Sequence, residues 1–187
     1  MNSQAVRLVS EYGRMLSQVL CDVMEHNYLH KQAPYNLTRT QFSILKLLSN
    51  SGSFLGSELS QILNISRPAV SKNIDKLVRQ KLVSRKILKT DRRTSELNIL
   101  KAGRDIVQKF EMLRLKKQEA ALKNMSAGDQ EKLAELLGRY VRNCINQEES
   151  LDLICLQCDD EIAQQCIMND PQHKCQYFIK KKEKIKS

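Results

Sequence analysis

Tryptophan is absent from this 187-residue chain, and aromatic residues of all kinds make up 5% of it. Proline occurs three times and glycine six, too few for a turn-dense all-β sandwich or barrel. With abundant Leu, Lys, Glu and Gln they point to a mostly helical protein. No apolar run approaches the roughly 20 residues that span a bilayer, which excludes a transmembrane helix. The first residues, MNSQAVRLVSEY, lack the apolar core of a signal peptide, so the expected location is the cytoplasm. No phosphate-binding glycine loop, dinucleotide fingerprint or Ser/His/Asp set appears, and an enzyme is not expected. Internal repeats are missing too. Acid is scarce relative to base: 21 Asp and Glu stand against 31 Lys and Arg, a formal charge of +10.

That positive charge is concentrated. From Arg67 to Arg93 there are ten Lys and Arg against Asp75 and Asp91, a local excess of eight. The stretch has a definite order of elements. Ile62, Leu63 and Ile65 end a first short helix. Ser66 is a good N-cap, and Pro68 falls in the first turn, where a missing N–H costs nothing. Val70, Ile74, Leu77 and Val78 then recur at helical spacing. The opposite face shows Arg67, Ser71, Lys72, Asn73, Lys76 and Arg79. Two helices joined by a tight turn, the second basic on its outer face, form a helix-turn-helix pattern. Val83, Arg85 and Ile87 alternate with Ser84, Lys86 and Leu88, and Leu97 and Ile99 alternate on the return. The connector, KTDRRTS, is polar and charged. A basic hairpin beside a basic helix implies double-stranded DNA as partner, through phosphate contacts and counterion release. Arginine and asparagine suit base edges, and the lysines suit phosphates.

This arrangement resembles the MarR family of winged-helix regulators. Asp91-Arg92-Arg93 followed by Leu97-Asn98-Ile99-Leu100-Lys101-Ala102-Gly103 looks like that family's wing signature, with Lys101 where threonine is usual. The likeness covers about residues 5–147 and implies a homodimer on a pseudo-palindromic operator. By resemblance, the helix from Arg67 to Gln80 enters the major groove, Arg93 enters the minor groove, and Asp91 holds the wing arginines. The fold class expected is mainly α with a small β-wing: a winged helix-turn-helix plus long dimerisation helices. The expected domains are 1–147, with its DNA-binding part at about 38–100, and a cysteine-rich extension at 148–187.

The flanks fit this plan. Residues 3–31 read as one amphipathic helix striped by Leu8, Val9, Tyr12, Leu16, Val19 and Val23, with Cys21 near the stripe as a small buried hydrophobe. His26 and His30 are one turn apart, with no third metal ligand nearby, and read as a solvated helix end. Pro34 ends the helix. Thr38 to Gln41 reads as a capping box, Asn50–Ser53 as a turn, and Phe54–Leu55 as a short edge strand. Helices are expected at 102–124, with Ile106, Phe110, Leu113, Ala120 and Ala121 on the apolar side, and after Ser126. The last is striped by Leu133, Leu136, Leu137, Tyr140, Val141, Cys144 and Ile145. Together these stripes exceed what one small domain can cover, so dimerisation is expected.

The C-terminal forty residues depart from the family pattern. Cys155, Cys158, Cys166 and Cys175 crowd into 21 residues, opening with a C-x2-C. Such density in a reducing compartment favours a soft metal over disulfides. The irregular spacing of the last two cysteines favours a [4Fe–4S] cluster, and zinc is the alternative, with His173 as a possible substitute ligand. Haem attachment is excluded because Asp159 follows Cys158. Seven acids and no base lie between Glu148 and Asp170, so this segment is not expected to touch phosphates. Lys180 to Lys186 read as a basic tail. The expected function is a DNA-binding regulator, most simply a repressor, that responds to redox or metal state through these cysteines. The alternative is a MarR-type regulator answering to a small-molecule effector, with a structural zinc. A thiol oxidoreductase using the C-x2-C ranks last, because no strand pattern surrounds the motif.

Overall fold

A computed structural model describes residues 3–87, 95–145 and 166. The expected boundary at 147/148 lies outside the described residues. Helices predominate, with one small antiparallel sheet, as the sequence periodicities imply.

The N-terminal run is helical from residue 3 to 31, but it is not uniform. α1 (Ser3–Ser17) passes into a π-helical segment, Gln18–Glu25, and then into α2 (His26–Lys31). The Tyr28 carbonyl closes the run by accepting from the N–H groups of Gln32 and Ala33, and Pro34 follows. α3 (Arg39–Ser51) starts on the expected capping box. Thr38 Oγ1 accepts from the Gln41 N–H at 3.3 Å, and Gln41 Oε1 accepts from the Thr38 N–H at 3.1 Å. The helix runs two residues further than the predicted turn allows, because Ser51 is buried. Gly52 ends it at φ 82°, a conformation that suits glycine.

β1 (Phe54–Leu55) and α4 (Gly56–Ile62) lead into a turn at Asn64 and then α5 (Arg67–Arg79). Ser66 caps α5 by accepting from the Ala69 N–H. β2 (Val83–Ile87) and β3 (Ser95–Ile99) form the hairpin, with Val83 opposite Ile99 and Ile87 opposite Ser95. The predicted edge strand is present: β1 pairs with β3, Phe54 opposite Leu97, giving the order β1-β3-β2. Apolar alternation in the hairpin is only partly realised. Val83 and Leu97 are buried, but Ile87 is 62% exposed, because its end of the hairpin reaches beyond the core.

α6 (Lys101–Leu122) and α7 (Ala127–Cys144) complete the described chain. The core lies inside the winged domain, where α3 supplies Phe42, Ile44, Leu45, Leu47 and Leu48, and α5 supplies Val70, Ile74 and Leu77. Of α6, only the first part is buried: Gly103, Ile106, Val107 and Phe110. Its predicted apolar residues Ala120 and Ala121 are exposed. α1 and α7 bury nothing. Tyr12 is 63% exposed and Leu136 48%, so both stripes stand uncovered in a single copy of the chain. Cys21 is exposed as well, contrary to its reading as a buried hydrophobe, because its stripe has no cover.

An aromatic cluster joins the N-terminal run to the winged domain. The Tyr28 ring lies 5.4 Å from Phe110, and Phe110 meets Phe42 edge-on at 5.0 Å. The Tyr28 hydroxyl donates to the Ile106 carbonyl at 2.7 Å. Burial pushes this phenol up to about 12.

Candidate nucleic-acid interface

α5 divides its residues by face. Val70, Ile74 and Leu77 point inward, while Arg67, Ser71, Lys72 and Arg79 are exposed. This sorting follows from the helical repeat, which puts positions three and four apart on one side. Among the described residues, these outward side chains are exposed rather than packed into the core. Two other predicted readers are partly engaged. Asn73 is half-buried and donates through Nδ2 to the Ala69 carbonyl at 2.8 Å. Lys76 is half-buried and donates through Nζ to the Asn36 carbonyl at 3.3 Å, which draws it toward the start of α3. Arg92, Arg93 and Asp91, the residue expected to position the wing, lie outside the described residues.

One contact was missed by sequence reasoning. Arg85, on β2, donates through Nη2 to Asp75 Oδ1 on α5 at 2.8 Å. The tie joins the hairpin to the helix, and Asp75 is the sole acid of α5. An acid kept on an otherwise basic helix is the signal that could have revealed it. On the same strand Lys86 faces Glu96 across the pair, and Glu96 also accepts from the Ser53 hydroxyl at 2.6 Å. Between α4, α5 and the sheet lies a cleft of about 510 Å³, bordered by Ser57, Arg67, Ser71, Ile74, Arg85 and Leu97. A convex basic helix beside a basic ribbon can straddle a polyanion, with the helix in a groove and the ribbon along the backbone.

The arrangement has named relatives. A model of the MarR family matches residues 35–94. The uncharacterized HTH-type transcriptional regulator YpoP of Bacillus subtilis (strain 168) is 30% identical over 111 residues, covering 59% of this chain and 77% of that protein. This chain belongs to the MarR family. Its fold agrees. RV1404 from Mycobacterium tuberculosis superposes with a TM-score of 0.67 at 24% identity, covering 77% of this chain and 95% of that one. FabT of Streptococcus pneumoniae, solved in complex with DNA, gives 0.61 at 18% identity, covering 75% and 96%. MarR membership makes this chain a transcription regulator with a DNA-binding fold. It also accounts for the glycine of the wing signature. A Cβ on Gly103 would stand 2.5 Å from the Leu82 carbonyl oxygen, so α6 can lie against the α5–β2 corner only without a side chain there.

The proposed metal site is described only at Cys166, which is half-buried. Cys155, Cys158 and Cys175 lie outside the described residues. Among the described residues, no three His, Cys, Asp or Glu side chains gather as a metal-ligating group. His26 and His30 are exposed, as expected of a helix end, with rings 4.2 Å apart. Cys144 ends α7 exposed and hydrogen-bonds Tyr140, which raises that phenol above its ordinary range. Among the described residues, no helix is long and apolar enough to cross a membrane.

Proposed function

We propose that this MarR-family chain acts as a homodimeric, sequence-specific repressor that occupies a pseudo-palindromic operator. The observation that carries the reading is the outward face of α5. Arg67, Ser71 and Lys72 stand exposed on it, beside a hairpin tied to the same helix through Asp75 and Arg85. Arg67 and Asn73 read base edges, while Lys72, Lys76 and the wing's Arg92 hold phosphates and Arg93 enters the minor groove. The uncovered stripes of α1 and α7 supply the dimer contact. Relatives of the same fold support the partner, since FabT was solved in complex with DNA.

Selection from a randomised duplex library tests the reading. The expected product is an inverted repeat with half-sites about one DNA turn, roughly 34 Å, apart. Binding should exceed that to competitor DNA by about a thousandfold or more. A protein that enriches no sequence is a non-specific architectural binder, and the regulator reading then fails.

The signal enters through Cys155, Cys158, Cys166 and Cys175, which hold a [4Fe–4S] cluster; structural zinc is the second reading. Their spacing in the sequence supports this, and loss of the centre would relax the extension's packing on the dimerisation helices. Anaerobic purification with metal and sulfide analysis separates iron–sulfur from zinc. Substituting Cys155 and Cys158 by Ser should leave DNA binding indifferent to oxidant and chelator. A zinc protein would turn attention to a small-molecule effector, for which the 510 Å³ cleft beside α5 offers space.

A further inference from the structure

We infer that Arg39 is a positioning residue for operator binding: it locks the N-terminal arm to the DNA-binding domain and so sets the separation of the two α5 helices in a dimer. The inference rests on the dimeric reading above. Sequence patterning places Arg39 only as a residue inside a capping box. In the structure it opens α3, and its guanidinium reaches back across 14 to 18 residues. Nη2 donates to Asp22 Oδ1 at 2.8 Å and to the Cys21 carbonyl at 2.5 Å, and Nε donates to Glu25 Oε1 at 3.2 Å. All three acceptors lie within the π-helical segment Gln18–Glu25, a winding that is rare and tends to mark functional places. The planar fork of an arginine meets these acceptors from two separate nitrogens held in fixed geometry, a span that the single nitrogen of a lysine does not reproduce. The contact with Asp22 further raises the Arg39 pKa, so the fork stays charged.

The other described anchors of the arm gather in α2: the Tyr28 ring lies against Phe42 and Phe110, its hydroxyl donates to the Ile106 carbonyl, and Leu29 is buried in the core. Anchors confined to one turn act as a pivot. Cys21 lies seven residues before Tyr28, about 10 Å along a helix, so the Arg39 fork acts at a distance from the pivot and opposes swinging. The arm from residue 3 to residue 25 is about 34 Å long, and a swing of about 5° moves its far end by about 3 Å. One base pair rises about 3.4 Å, so a swing of that size puts two half-site contacts out of register by one base pair. The side chains of Arg39 and Asp22 are 55% and 59% exposed. Pairs so exposed contribute little to stability. Glu25, which is 12% exposed, keeps Lys46 as a neighbouring cation when Arg39 is removed. Loss of Arg39 therefore changes the angle of the arm more than it changes the fold.

The test uses full-length protein and the inverted-repeat duplex that wild-type protein recovers from a randomised library. Two further duplexes lengthen or shorten its spacer by one base pair, and a fourth holds a single half-site. Sedimentation confirms that each variant is a dimer. Arg39→Ala should bind the half-site within twofold of wild type. Its binding to the native spacing should weaken about fivefold, with an equal loss of discrimination against the altered spacers, the scale of an exposed ion-pair cluster. Arg39→Lys should restore little of this, because its donors radiate from one nitrogen and do not reproduce the fixed fork. Full spacer discrimination in Arg39→Ala overturns the inference, as does equal loss at half-site and full site, which marks a merely structural residue. A monomeric wild type, or one that recovers no duplex, overturns the functional reading and this inference with it.

Discussion

Alanine for glycine inside a helix ordinarily stabilises a protein, by up to about 1 kcal/mol. At Gly103 the sign should reverse. The added Cβ would lie 2.5 Å from the Leu82 carbonyl oxygen, 3.0 Å from Ile99 Cγ1 and 3.2 Å from Leu45 Cδ2. The first of these is backbone, and it is not free to move. The same oxygen accepts from the Leu100 N–H at 2.9 Å, the bond that pins the start of α6. Overpacking of this kind costs about 1–3 kcal/mol, and a weakened backbone hydrogen bond adds about 1 kcal/mol. After the gain in helix propensity, Gly103→Ala should lose about 1–3 kcal/mol. Gly13 and Gly128 provide the control, because a Cβ at either meets nothing within 4 Å. Alanine at those positions should leave stability unchanged or raised. Urea melts at one fixed protein concentration measure all three, since a dimer's apparent stability depends on concentration. The close approach would be refuted if Gly103→Ala were as stable as Gly128→Ala.

Three further predictions concern Tyr28, the Asp75–Arg85 pair and the turn at Lys81. Tyr28→Phe removes the bond to Ile106 and should cost about 1 kcal/mol at pH 7. Because burial raises the Tyr28 pKa from 10.0 to about 12, folding favours the neutral phenol; the wild-type advantage is full below pH 10 and declines as pH rises from 10 to 12, so paired melts across that window should converge. A double-mutant cycle of Asp75→Ala and Arg85→Ala should give a coupling of about 0.5 kcal/mol, and Arg85→Ala should also weaken operator binding in anisotropy titrations; zero coupling means the tie is absent in solution. Lys81 holds φ at 57°, so Lys81→Gly should raise stability by about 0.5 kcal/mol in urea melts, and a loss would show that the side chain does more than occupy a strained turn.

Much of the winged domain was legible in the chain because its determinants are local. The Thr38 and Ser66 caps, the Pro68 start and the 3.6-residue stripe of α5 each act within one or two turns of backbone. The short strand at Phe54–Leu55 was legible as an apolar step after the turn at residues 50–53, while its register against Leu97 came from the fold. The exposure of Arg67, Ser71 and Lys72 was legible for the same reason, since they are what remains when the apolar face is removed. Asn73 and Lys76 were harder, since their engagement with Ala69 and Asn36 depends on rotamer and on a neighbouring loop.

Element order and the sign of the charge on the outer face of α5 were thus determined by the sequence alone, because composition and short-range periodicity encode them, while the family was legible through its resemblance to the wing signature at residues 91–103. Tertiary structure decided what depends on residues far apart in the chain. It brought Arg39 to Asp22 and Glu25, Arg85 to Asp75, and the Leu82 carbonyl to Gly103. It also divided the apolar stripes into those the domain covers and those on α1 and α7 that it leaves bare. Periodicity records that a helix has an apolar face, whereas the surface that covers that face is set only when distant elements pack.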